Sequence, residues 1–117
     1  MQDYRHISLN IVDDICVVRL LDNRIVDDMN IFELGNELFS LVEKEGYTKI
    51  LLNFSEVGFL SSAALGKLIM LYKKIMVRNG MLKFSNITPD INELFKIMNL
   101  NSIFDIRSEE ANALAAF

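Results

Sequence analysis

The chain has 117 residues, the length of one ordinary domain, and residues 1–117 read as a single unit. A hydrophobic fraction of 51% supplies the apolar surface for a core and excludes a disordered chain. Twelve basic against 16 acidic residues leave a net charge of −4, which argues against non-specific nucleic-acid or anionic-membrane binding, since both need a basic face.

One cysteine, Cys16, and one histidine, His6, exclude a disulfide scaffold and the usual four-ligand zinc site, so neither a metal nor another cofactor is implied. The start Met1-Gln2-Asp3-Tyr4-Arg5-His6 lacks the basic-then-apolar pattern of a signal peptide. The run Leu68-Ile69-Met70-Leu71-Tyr72 is far shorter than the roughly 20 apolar residues of a bilayer span. A lone free thiol suits a reducing compartment, and the expectation is a cytoplasmic protein with no membrane or nucleic-acid partner.

Ile7, Leu9 and Ile11 alternate with Ser8 and Asn10, the period of a half-buried strand. Asp13-Asp14 makes a turn, and Ile15 to Leu21, rich in β-branched residues, predicts the second strand of a hairpin. Asp22-Asn23-Arg24 is a polar connection. Ile31, Leu34, Leu38, Leu41 and Val42 then fall at helical spacing, with Asp27 or Asp28 as cap and Gly46 as stop. Thr48 to Phe54 is almost continuously apolar, which predicts a central strand covered on both faces.

Ser55 to Leu60 reads as a loop, and Ser61 or Ser62 caps a long helix whose buried stripe is Leu65, Leu68, Ile69, Tyr72 and Met76. Lys67, Lys73 and Lys74 face solvent, and Asn79-Gly80 ends the helix. Met81 to Ser85 is a strand, and the strand–helix–strand unit is a parallel crossover. Thr88-Pro89 starts a helix carrying Ile91, Leu94, Phe95 and Met98. Ile103 to Ile106 is a short edge strand, and Ser108 caps a last helix. The sum is an α/β fold, a mixed four- to five-stranded sheet with helices packed on it.

Catalytic chemistry finds little support. His6 reads as a surface residue on a terminal segment, Cys16 as an inert thiol within an apolar strand. No glycine-rich phosphate loop occurs. Asp13-Asp14, Asp27-Asp28 and Glu109-Glu110 read as turn, cap and first-turn residues. One constellation stands apart, Asn53-Phe54-Ser55-Glu56-Val57-Gly58-Phe59-Leu60-Ser61-Ser62-Ala63-Ala64-Leu65-Gly66, where two serines sit between a buried strand and a helix. Helix capping alone accounts for them structurally. A hydroxyl at this place can also carry a phosphate, which the free N–H groups and the helix dipole stabilise.

This stretch resembles the STAS domain of bacterial anti-sigma-factor antagonists. The resemblance runs through the opening hairpin, the turn into Leu65-Gly66, the Asn79-Gly80 helix end and the Thr88-Pro89 helix. The family pattern Asp-Ser-Ser/Thr-Gly-Leu-Gly stands here as Ser61-Ser62-Ala63-Ala64-Leu65-Gly66. Arg24-Ile25-Val26-Asp27 stands in the place of the family's Gly-x-Leu-Asp. The resemblance implies Ser62 as phosphoacceptor and a non-catalytic regulator. It also implies a partner serine kinase that is itself the anti-sigma factor, and a PP2C-type phosphatase that reverses the mark. It places partner contacts at Asp27, Ser61, Ala63 and Gly66, while Val57, Phe59 and Leu60, apolar residues in a loop beside the helix start, read in their own right as residues of which some pack under the helix and the exposed remainder forms a docking patch around Ser62. Retention of Ser62 favours this switch, while Ser61, Ala63 and Ala64 favour a second reading, an interaction or ligand-sensing module that is not phosphorylated.

Overall fold

The computed structural model describes residues 4–117; the N-terminal reading at Met1-Gln2-Asp3 lies outside them. The hairpin forms as expected, β1 (Ile7–Val12) pairing antiparallel with β2 (Ile15–Leu20) around a turn in which Asp13 takes a φ of 56°. The polar connection holds a feature too short for any periodicity, the two-residue strand β3 (Arg24–Ile25). Helix α1 (Asp28–Glu43) starts at Asp27, whose side chain accepts from the Asn30 N–H, and buries Ile31, Leu34, Leu38, Leu41 and Val42. Gly46, at a φ of 77°, turns the chain away two residues past the C-cap Lys44.

Strand β4 (Lys49–Asn53) leads through a second two-residue strand, β5 (Phe59–Leu60), into α2 (Ser62–Val77). Strand β6 (Met81–Ser85) follows, then α3 (Pro89–Ile97), a 3₁₀ turn at Leu100–Ser102, β7 (Asp105–Arg107) and α4 (Glu110–Ala115). The main sheet runs β1-β2-β4-β6-β7, with β2, β4, β6 and β7 mutually parallel, and β3 pairs parallel with β5 beside it. The turn into β6 is tight: a Cβ on Gly80 would lie 2.2 Å from the Thr48 carbonyl oxygen, so only glycine fits. Among the described residues no helix is long and apolar enough to cross a membrane.

Residue alternation along the strands divides the core. Cys16, Val18, Leu20, Ile50, Leu52, Leu82 and Phe84 face α1, α2 and α3. Ile15, Val17 and Leu51 face α4 through Ala113. An aromatic cluster closes the large face, with Phe84 stacked on Phe54 at 5.2 Å and on Phe104 at 4.5 Å, and Phe95 edge-on to all three. Burial of Cys16 pushes its thiol up to about 12, which fits an unreactive core residue.

Several expectations are corrected. In α2 the buried stripe is Ala64, Leu65, Leu68, Leu71 and Ile75; Ile69 and Tyr72 are half-buried and Met76 is exposed. Lys67 does not simply face solvent, since its stem packs on Gly35 and its ammonium lies 5.9 Å from the rings of Phe32 and of Phe39. In α3 Ile91 and Phe95 are buried, and Met98 is exposed beyond the helix end. The last strand lies at Asp105–Arg107 rather than Ile103–Ile106, because Ile103 and Phe104 complete the preceding turn. Ser108 does not cap α4; Glu109 holds that place, and the Ser108 hydroxyl donates to Asn112 Oδ1 instead.

His6 is the largest correction. Only 5% exposed, it holds Asp22 Oδ2 at 2.6 Å from Nδ1 and Glu33 Oε1 at 2.9 Å from Nε2. Its backbone N–H and that of Arg5 donate to Glu37, so residues before β1 are tied to α1 and to the end of β2. Burial alone pulls the imidazole down, but the hydrogen bonds to Glu33 and Asp22 and the nearby charges of Asp22 and Glu37 outweigh it and raise its pKa above the ordinary value. A raised folded pKa contributes stability that is fully present below about pH 6.5 and is lost as pH rises through the folded value. We expect the single imidazole signal, followed by proton NMR, to titrate above pH 6.5. We also expect unfolding free energy to fall between pH 6 and pH 9 more in wild type than in His6→Gln. Titration below the ordinary value, or parallel stability curves, would contradict a charged His6 held between Asp22 and Glu33.

Candidate functional site

The β4 strand delivers the chain to a stitched loop. The Val57 N–H donates to the Phe54 carbonyl at 2.9 Å. The Asn23 carbonyl accepts from both Gly58 and Phe59, at 2.8 and 3.1 Å, and the Asn23 side-chain amide donates to the Glu56 carbonyl at 3.1 Å. Then Ser61 N–H donates to Ile25 O at 3.0 Å, continuing the β3–β5 pairing up to the first turn of α2. These bonds join two segments more than thirty residues apart and fix the entry to α2.

Ser61 and Ser62 divide the two roles that residue types left open. Ser61 is the N-cap, with extended backbone, and its hydroxyl accepts from the Ala64 N–H at 3.3 Å. Ser62 is the first helical residue and is exposed. Helix geometry leaves the N–H groups of the first turn without intrahelical partners and gives that end a partial positive charge. No acidic residue stands in this first turn.

Beside Ser62 lies a groove of about 490 Å³, lined on one side by Gly58, Phe59, Leu60, Ser61 and Ser62 and on the other by Asp90, Ile91, Glu93, Leu94 and Ile97. The far wall is α3, started by Thr88, whose hydroxyl accepts from the Ile91 N–H, with Pro89 at the first helical position. Phe95 and Ile91 anchor that helix in the core and so turn Ile97, 74% exposed, outward. Phe59 is 49% exposed, and the Arg24 guanidinium lies over its ring at 5.2 Å.

The structure brings Phe59, Leu60, Ser61 and Ser62 together at this groove. Leu60, 2% exposed, lies in its floor. Val57 is corrected as a partner-contact residue: at 1% exposed it belongs to the main core and supports the loop from beneath. Asp27, Ala63 and Gly66 do not line the groove: Asp27 caps α1, Ala63 is exposed on α2, and Gly66 is half-buried. The α3 wall was missed. Its signal in the sequence is Ile97-Met98, an apolar pair just past the stripe that Ile91 and Phe95 already complete. Among the described residues no group of three or more His, Cys, Asp or Glu side chains is placed to hold a metal ion.

A mixed sheet with three helices on one face, and a capped helix start facing an apolar groove, defines a known class of α/β domain. The STAS domain profile matches residues 6–113, and the chain belongs to the STAS domain family. A relative from Bordetella bronchiseptica, BtrV, described as a candidate anti-sigma factor antagonist, is 29% identical over 93 residues, 80% of this chain and 79% of its own. A candidate anti-sigma factor antagonist from Thermotoga maritima, solved by crystallography, is 25% identical with a TM-score of 0.83, covering 94% of this chain and 92% of that one. The Bacillus cell fate determinant SpoIIAA in its phosphorylated form shares the fold, with a TM-score of 0.71 at 17% identity over 95% of this chain and 99% of that one.

The division of roles between the serines has a measurable consequence. Ser61→Ala, losing the cap, should lower unfolding free energy by about 0.5–2 kcal/mol in urea titrations. Ser62→Ala should stay within about 0.5 kcal/mol of wild type. The reverse order would assign the cap to Ser62.

Proposed function

We propose that this protein is an anti-sigma-factor antagonist. In this reading it binds, without catalysis of its own, an anti-sigma partner that is also a serine kinase. The kinase transfers the γ-phosphoryl group of ATP to the Ser62 hydroxyl, and a PP2C-type phosphatase hydrolyses the phosphoester. The chain works as one domain in the cytoplasm, and its output is control of transcription through a sigma factor.

The observation that carries this reading is an exposed serine at the first position of a helix, on the rim of an apolar groove. The helix start favours a phosphate, so modification need not disturb the fold. The groove supplies the readout. Phosphorylation adds a charge of about −1.5 to −2. Asp90 and Glu93 already make the facing wall acidic, and Phe59 on the near wall with Leu94 and Ile97 on the far one make the groove apolar. A partner that covers apolar surface must strip water from the phosphate, which costs several kcal/mol unless a cation meets it. The family relationship and the BtrV similarity support the antagonist assignment.

A second reading, a module that is never phosphorylated, is favoured by the residues flanking the acceptor. Ser61 stands where the resemblance expects an aspartate, and Ala63 and Ala64 replace the hydroxyl residue and the glycine that follow. Calorimetry against the serine-kinase partner separates the two. Wild type should bind without ATP and lose affinity by about a hundredfold or more once ATP permits phosphorylation. Ser62→Ala should bind in both conditions, and Ser62→Asp should be weakened only in part, having less charge and fewer acceptor oxygens. Equal affinity for all three proteins in both conditions would leave the unmodified module.

A further inference from the structure

The two edges of the main sheet are unlike. Strand β7 is three residues long, and two of them, Asp105 and Arg107, are charged and paired with each other. Lys83 of β6 also pairs with Asp105. Short, charged edge strands do not template further pairing. Strand β1 has six residues, Ile7-Ser8-Leu9-Asn10-Ile11-Val12, with no charge and no proline. Its register with β2 is unbroken from Ile7↔Leu20 to Val12↔Ile15, so no bulge twists it away.

The hydrogen-bond phase shows which residues face outward. Leu21 N–H donates to His6 O, so residue 6 belongs to a hydrogen-bonded pair, and 8, 10 and 12 follow by alternation. The N–H and C=O groups of Ile7, Leu9 and Ile11 therefore point away from β2. Side chains alternate across the sheet: Ile7, Leu9 and Ile11 share the helix-covered face, Ser8 and Asn10 the other. Ile11 is 47% exposed.

We propose that two copies of this chain pair antiparallel through their β1 edges, with Leu9 opposite Leu9 on the two-fold axis. Charge selects both the occupant and the register. Arg5 lies just before β1 and Asp13 in the turn just after it, so the axis at Leu9 brings Arg5 of each copy to the same end of the paired edge as Asp13 of the other. The same register puts Ile7 opposite Ile11 and Ser8 opposite Asn10, like with like on each face. A shift by two residues would set Arg5 opposite Ile11, or Ile7 opposite Asp13. Arg5 is 74% exposed at its side chain and bonds Glu33 through one guanidinium nitrogen, which leaves donors for a second carboxylate. None of the groove-lining residues lies in β1, so the pairing leaves the proposed docking surface open.

Sedimentation equilibrium of the full chain, from micromolar to near-millimolar concentration, tests this. The mass should climb from one chain towards two; one chain at every concentration overturns the proposal. Ile11→Lys, at an exposed position, should weaken association at least about tenfold with an unchanged far-ultraviolet circular dichroism spectrum. Register is read by oxidation. Opposed residues of a hydrogen-bonded pair have Cα atoms about 5.5 Å apart, within disulfide reach. Leu9→Cys should therefore give a linked dimer on a non-reducing gel. Asn10→Cys should not, since it faces Ser8 of the other copy. Buried Cys16 supplies the background control. A dimer indifferent to Ile11→Lys, or linked equally through either cysteine, would overturn the β1 pairing.

Discussion

Everything in this molecule is referred to β4, the strand buried on both faces. Ile50 and Leu52 meet the layer of α1, α2 and α3, while Leu51 meets α4. Neighbouring parallel strands β2 and β6 take their registers from it. Parallel sheets place their binding sites outside the carboxyl ends of the strands, and the chain leaving the end of β4 is the one that builds the loop, the cap and the groove. Asn53, the last residue of β4, continues the order outward. Its amide donates to Glu110 of α4, and its side-chain oxygen accepts from the Ser55 N–H. The same side chain thus fastens the small helix and starts the loop that ends at Ser62.

Function in this account follows from a rigid entry and an open exit. The loop before α2 is bonded to Asn23 at Glu56, Gly58 and Phe59, which leaves little freedom in where Ser62 sits. The groove beside it is apolar in the floor and acidic on the far rim. An unmodified hydroxyl is a small polar point on such a surface and can be covered. A phosphate there would bring a charge of about −1.5 to −2 and its hydration to a groove whose far wall already carries Asp90 and Glu93. With Ser61 standing where a carboxylate is expected, no acidic side chain directly precedes Ser62, so the first turn of α2 would add no like charge to a phosphate there, and the acidic contribution would come only from Asp90 and Glu93 across the groove. The contrast between the two states on the partner-facing side is correspondingly larger.

Much of this was legible in the sequence because local chemistry dictates it. Strand β6 spans the predicted residues, Thr88 and Asp27 cap their helices through their own side chains, and Pro89 takes the first helical position. The buried face of helix α2 is not fixed by its sequence, because apolar residues occupy nearly every turn: Leu65, Leu68, Ile69, Met70, Leu71, Tyr72, Ile75, Met76 and Val77 admit more than one stripe. Tertiary packing against α1 and the sheet chooses Leu71 and Ile75 over Met76. Strands β3 and β5 are two residues each, shorter than one period of alternation, so only their pairing reveals them. His6 meets Asp22 and Glu33, sixteen and 27 residues away, and no local pattern reports such a meeting. The groove was half legible: its near wall is the serine motif, but the far wall depends on how α3 is rotated about Phe95 and Ile91.

The central claim is that a partner docks in the groove between the Phe59–Ser62 segment and α3. Amide chemical-shift mapping of isotope-labelled protein titrated with the proposed serine-kinase partner tests it most directly. Perturbations should gather at residues 58–66 and 90–98, with the exposed face of α4 and the β1 edge unaffected. Perturbations centred on α4 or on β1, with Phe59, Ser62, Leu94 and Ile97 unmoved, would contradict it.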